Sequence, residues 1–154
     1  MIFLLLLFFP FLSSNASTTG VLRLSSHVPI VNELSISSNS QALNLDIAKG
    51  EVGTVIADVL ETSNDPQGYS VQISSKNAGK LIHSNFAKRS IRYKLSYHHK
   101  KYFSPKSTLF SAKSISSLPQ KLSTISSLRI KFAGAPTAIS GNYEDVLTLS
   151  IISN

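Results

Sequence analysis

Gly141-Asn-Tyr-Glu-Asp-Val-Leu-Thr-Leu-Ser-Ile-Ile-Ser-Asn154 carries the reading of the fold. Tyr143, Leu147, Leu149 and Ile151 fall on one parity, and Glu144, Thr148 and Ser150 on the other. Period-two alternation is the pattern of a strand with one buried face. Gly141-Asn142 is a turn signal in front of it. Asp145 shares the inward parity. It either sits at a rim and accepts backbone hydrogen bonds or marks a bulge that shifts the register. A strand of this length must pair, because an unpaired edge invites other chains.

Working outward, several short alternating runs recur. Residues 20–28 read as a first strand closed by Pro29. Residues 41–48 alternate, with Leu43, Leu45 and Ile47 on one face. Residues 54–61 carry apolar side chains on both parities, which predicts a central, doubly covered strand. Ser63-Asn64-Asp65-Pro66-Gln67-Gly68 is a turn cluster. Tyr69–Ser75 alternates, Lys76-Asn77-Ala78-Gly79 turns, and Lys80–His83 forms a short strand. Ile91, Tyr93, Leu95 and Tyr97 make the inner face of another strand, with Arg92, Lys94, Ser96 and His98 outside. Residues 102–120 read as a loop with one irregular strand near 109–115. Leu128, Ile130 and Phe132 face inward, with Arg129 and Lys131 outward. Seven or eight strands and no helix-length period predict an all-β, immunoglobulin-like antiparallel β-sandwich.

The chain has 154 residues and no cysteine, which excludes disulfides, thiol catalysis and Cys-ligated metals. Ile2 to Phe9 is an unbroken apolar run, followed by small residues at Ser14 and Ala16. It is shorter than the roughly 20 residues that span a bilayer, so residues 1–16 are expected to be a signal peptide. Residues 17–154 are then one exported domain, with no transmembrane segment.

The ending G-N-Y-E-D-V-L-T-L-S-I resembles the terminal strand of chaperone–usher fimbrial subunits and of the related spore coat protein U-like domains. Gly141 is fourteenth from the C-terminus, where chaperone–usher subunits carry a glycine. The segment from Val55 through S-N-D-P-Q-G-Y-S-V-Q-I-S-S to Leu81 is similar to their central strands. Ser153 stands where those subunits carry an aromatic, and the cysteines of many members are missing. The resemblance implies a surface-appendage or coat subunit completed by a strand from a periplasmic chaperone and then, at an usher, from the next subunit. It places Gly141, Tyr143, Leu147, Leu149 and Ile151 along the acceptor groove, and Leu22 and Leu24 on the donor strand. The residues alone leave a self-complete sandwich equally open, with 17–28 as its own first strand.

The net charge is +7, and the charges are segregated. All eight acids lie at or before Asp65 or after Tyr143, while thirteen of the fifteen Lys and Arg lie between Pro66 and Tyr143. Lys88, Arg89, Arg92, Lys94, Lys100, Lys101, Arg129 and Lys131 form a candidate surface for an anionic polymer such as lipopolysaccharide or acidic polysaccharide. The alternative is a solvated basic face that discourages edge pairing. Sequence-specific nucleic-acid recognition does not fit an exported chain.

No catalytic residue, cofactor site or metal site is expected. His98-His99 is a poor chelate unless it sits in a turn, because neighbours on a strand face opposite ways. Glu144 and Asp145 likewise diverge, whereas paired catalytic carboxylates must converge. There is no G-x-S-x-G elbow.

Overall fold

The computed structural model describes residues 19–154, and the expected signal peptide at 1–16 lies outside them. Among the described residues ten strands form an antiparallel sandwich: β1 Asn32–Ser38, β2 Gly50–Ser63, β3 Tyr69–Ser75, β4 Lys80–His83, β5 Phe86–Arg92, β6 Lys94–Tyr97, β7 Phe110–Ile115, β8 Leu122–Ala133, β9 Tyr143–Glu144 and β10 Leu147–Ser153. One layer has the order β1-β2-β8-β6. The other is built from β10-β3-β7 and, beyond the turn after Ser75, β5-β4-β9. The core between the layers includes Val59, Tyr69, Val71, Ile73, Leu95, Tyr97 and Leu128, all essentially inaccessible.

Several expected elements differ. Residues 20–28 form no strand; the first strand is β1, where Leu34 and Ile36 supply the alternation. Residues 41–48 are not a strand either. Asn39 accepts a hydrogen bond from the Gln41 amide and starts a 3-10 helix, Ser40–Leu43. Leu45 and Ile47 still pack against the core, whereas Leu43 is exposed.

β2 is central, paired to β1 and β8, but its outer face is not covered, since Leu60 is 43% exposed. Its apolar residues on both parities arise from register shifts between Val52 and Thr54 and between Val55 and Ala57. The run from Ile91 to Tyr97 is two strands, because the chain crosses from one layer to the other at Tyr93. His98 and His99 leave the strand with φ of 50° and 57° and form a turn.

A buried polar cluster joins the layers. Glu61 of β2, with 0% exposure, meets Lys113 of β7 at 2.7 Å. Tyr69 and Tyr97 donate to the same carboxylate at 2.7 and 2.5 Å. Ser126 accepts from Lys113 at 3.2 Å and contacts His98 Nδ1 at 3.0 Å. Burial pushes the Glu61 carboxyl upward, but the hydrogen bonds from Lys113, Ser126, Tyr97 and Tyr69 hold it below the ordinary carboxylate range. Burial, then the hydrogen bond to Glu61 and after it the Glu61 charge, pushes both phenols above their usual value.

Candidate functional site: an open groove between β1 and β10

β1 and β10 are each at an edge of their sheet, and their mutual contacts put them on the same side of the sandwich. Among the described residues β10 pairs only with β3, and β1 only with β2. The two edges approach each other at one end, where Asn32 Nδ2 donates to Ser153 Oγ at 2.9 Å.

Register shows which side chains face inward. Directly paired residues on antiparallel strands share a face. Leu147, Leu149 and Ile151 pair with Ser75, Ile73 and Val71, which are all fully buried. Yet the β10 residues themselves are only half-buried. On the facing edge, Ile36 pairs with Val59. Val59 is 0% exposed and Ile36 is 48% exposed. Leu34 is likewise half-buried. Both edge strands therefore turn an apolar face into the core that no further strand covers. A separate 560 Å³ cleft lies between residues 42–47, which follow β1, and residues 141–146, which precede β10, and is lined by Leu45, Ile47, Leu81, Tyr143 and Val146.

The approach to β10 is rigidly held. Asp145 interrupts the strand between β9 and β10. Its carboxylate accepts from Ser75 Oγ and Tyr93 OH, each at 2.6 Å, and from the Asn77 and Val146 amides at 3.0 and 2.7 Å. The inward parity of Asp145 thus reflects a rim carboxylate that accepts backbone hydrogen bonds at the level where the second layer divides. Burial and then the hydrogen bond to Asp145 push the Tyr93 phenol above its usual value.

Gly141 has φ of 146° and rests on the imidazole of His83. That ring is fixed on both sides: Nε2 lies 3.0 Å from Ser140 O, and Nδ1 accepts the Asn85 amide at 3.0 Å. Tyr143 packs edge-on to the same ring with centroids 5.0 Å apart.

Residues 19–31 run outside the sandwich. Pro29 O accepts from Asn64 Nδ2, and the Val31 amide donates to Asn64 Oδ1, so the segment is anchored where β1 begins. Leu22, Leu24 and Val28, before that anchor, and Ile30, between its two residues, are exposed, Leu24 at 85%. All four share one parity, with Ser26 between them.

The structure does not gather the eight candidate basic residues into one surface. Lys88 and Arg89 lie on β5 in one layer, and Arg129 and Lys131 on β8 in the other. Lys100 and Lys101 follow the turn after β6. Arg129 is committed to the Gly53 carbonyl at 3.2 Å. Arg92, Lys94 and Lys131 do converge, around a cavity at the opposite edge of the β2 layer.

Sequence reading missed β1 as the second wall of the groove. The signal was present in Leu34 and Ile36 but was obscured by the similar alternation at 20–28. The buried pair Glu61–Lys113 was also missed, because each looks like an ordinary surface charge in its own segment.

No family model and no curated sequence matches the chain. Among solved structures it is similar to the Escherichia coli Hda pilus minor tip subunit, HdaB, at 13% identity and a TM-score of 0.40, over 77% of this chain and 79% of that one. It is also similar to the CooA pilin subunit from enterotoxigenic Escherichia coli, at 12% identity and a TM-score of 0.39, over 76% of this chain and 87% of that one.

Proposed function

We propose that the chain is an exported structural subunit of a surface appendage or coat, and that copies assemble by strand addition. The groove between β1 and β10 accepts a strand, and residues 19–30 of another copy supply it. The observation that carries this reading is that inward-facing Ile36 is exposed, and Leu149 and Ile151 only half-buried, beside fully buried partners one strand further in.

The energetics favour insertion over surface docking. Burying one Leu, Val or Ile contributes about 1.5–3 kcal/mol. Ordering each backbone residue costs about 1–2 kcal/mol. Side-chain burial at every second position therefore roughly offsets the ordering of an extended segment. Net stability has to come from a ladder of hydrogen bonds on both sides, which only the gap between two free edges provides. The exposed Leu22, Leu24, Val28 and Ile30 present one apolar face of suitable length. During export the groove needs a temporary occupant, the role a periplasmic chaperone would fill before an usher.

The test uses the full chain carrying Leu22→Asp and Leu24→Asp, which disables its own donor face. A synthetic peptide of residues 19–31 is expected to bind this variant and to raise its melting temperature by several degrees. A peptide with the same two substitutions should do neither. If the wild-type peptide leaves the melting temperature unchanged, the groove is not an acceptor site.

A further inference from the structure

We infer that the chain also carries a carbohydrate site for an acidic sugar, at a 370 Å³ cavity on the layer edge formed by β6, lined by Arg92, Lys94, Lys131, Val52 and Phe132. The site is independent of the strand-accepting groove, which lies between β1 and β10 at the other edge of the same layer.

Three observations carry it. Lys94 lies directly opposite Lys131 across β6 and β8, and Lys131 lies directly opposite Val52 across β8 and β2. The row Lys94–Lys131–Val52 therefore shares one outer face. Like charges placed directly across a ladder are destabilising. Among the described residues the salt bridges are Lys49–Asp46 and Lys113–Glu61, so no carboxylate neutralises Arg92, Lys94 or Lys131. The acid in the cavity wall, Glu51, is occupied by the Asp46 amide and the Thr54 hydroxyl.

Lys131 is also held in place. Its ammonium lies 4.0 Å above the ring of Tyr102, so the central cation is positioned before any ligand arrives. Beside these cations Val52 is 94% exposed, an aliphatic side chain with no partner on its outer side. A site that joins three unpaired cations to an apolar wall fits a ligand with an anionic group on a ring that has a C–H face. A hexuronate has that form: the guanidinium of Arg92 can take its carboxylate through two parallel hydrogen bonds, and the sugar face can lie on Val52. The cavity is large enough for one or two such rings, which suits a repeating unit of an acidic polysaccharide.

The experiment titrates the full chain with oligogalacturonate at moderate salt, using a neutral galactose oligomer and anionic phospholipid vesicles as comparison probes. Binding to oligogalacturonate and to neither comparison probe is expected. Lys94→Gln and Arg92→Gln should each weaken it tenfold or more, and Lys121→Gln, on a remote segment, less than twofold. Lys94→Gln should leave the melting temperature unchanged or raised, since it removes a cross-strand repulsion, and so separates a ligand role from a structural one. Equal weakening by Lys121→Gln would overturn the site in favour of diffuse charge attraction. Binding to the vesicles alone, or no binding to oligogalacturonate, would overturn the acidic sugar as the ligand.

Discussion

Gly141 lies against the imidazole of His83 so closely that a Cβ at this position would fall 2.7 Å from Cε1 and closer still to Nε2. The ring cannot swing away without losing contacts to Ser140 O and the Asn85 amide. Together with the φ of 146°, this makes glycine the residue that lets the chain turn into the groove wall at Tyr143. Gly141→Ala is therefore expected to cost about 2 kcal/mol or more, from overpacking and backbone strain. Adding His83→Ser should recover part of that loss. Chemical denaturation of the two variants checks this, and a double variant no more stable than Gly141→Ala would count against the steric account.

Glu61 and Lys113 are buried as a pair, and removing one partner leaves an uncompensated charge. Lys113→Met alone should destabilise the fold by about 3–5 kcal/mol. Combining it with Glu61→Gln should be milder than Lys113→Met alone. A double-mutant cycle by urea denaturation measures the coupling, and additive losses would show that the pair does not act as a unit.

The same cluster sets a pH dependence. The Glu61 carboxyl is held below its ordinary value in the fold, so its contribution is present above the unfolded value of 4.5 and is lost as pH falls through the lower folded value. The Tyr69, Tyr93 and Tyr97 phenols are held above their ordinary value of 10.0. Their contribution is complete below 10.0 and is lost as pH rises beyond it. Melting temperature against pH should therefore fall on both flanks. In Tyr97→Phe the alkaline decline should be shallower; an unchanged alkaline flank would contradict the assignment.

Asp145 ties the two halves of the second layer through Ser75, Tyr93, Asn77 and Val146. Asp145→Ala orphans several of these donors at once, and should cost about 2–4 kcal/mol on the scale of 1–3 kcal/mol for one buried unsatisfied group. Amide exchange should accelerate at Asn77 and Val146 more than in the β1–β2 ladder. Uniform acceleration would indicate global rather than local loosening.

Much of the fold was legible in the sequence, for particular reasons. β3 and β4 were placed to the residue because Asn64-Asp65-Pro66, Gly68 and Ala78-Gly79 mark their ends. The inward faces of β8 and β10 followed from alternation alone. The start of the chain was not legible, because residues 20–28 and Asn32–Ser38 alternate equally well. Periodicity says which side chains share a face but not whether that face meets a core. Residues 41–48 failed for a different reason. A local hydrogen bond, from the Gln41 amide to the Asn39 side chain, outweighed a strand pattern. The strand switch at Tyr93 keeps parity on both sides, so it left no trace in the alternation. Of the groove, one wall could be read and the other needed pairing partners. The convergence of Lys94 and Lys131 depended on register between β6 and β8, which no single segment contains.

The central claim is that residues 19–30 of one copy enter the groove of another. The chain has no cysteine, so engineered thiols report without background. Leu24→Cys and Leu149→Cys variants, each carrying one thiol, are mixed and oxidised, and the crosslinked products are resolved by mass spectrometry. The account predicts a Leu24–Leu149 heterodimer well above the random pairing given by a Thr148→Cys partner, whose side chain faces outward from β10. Equal yields from the inward and outward positions, or no heterodimer at all, would contradict it.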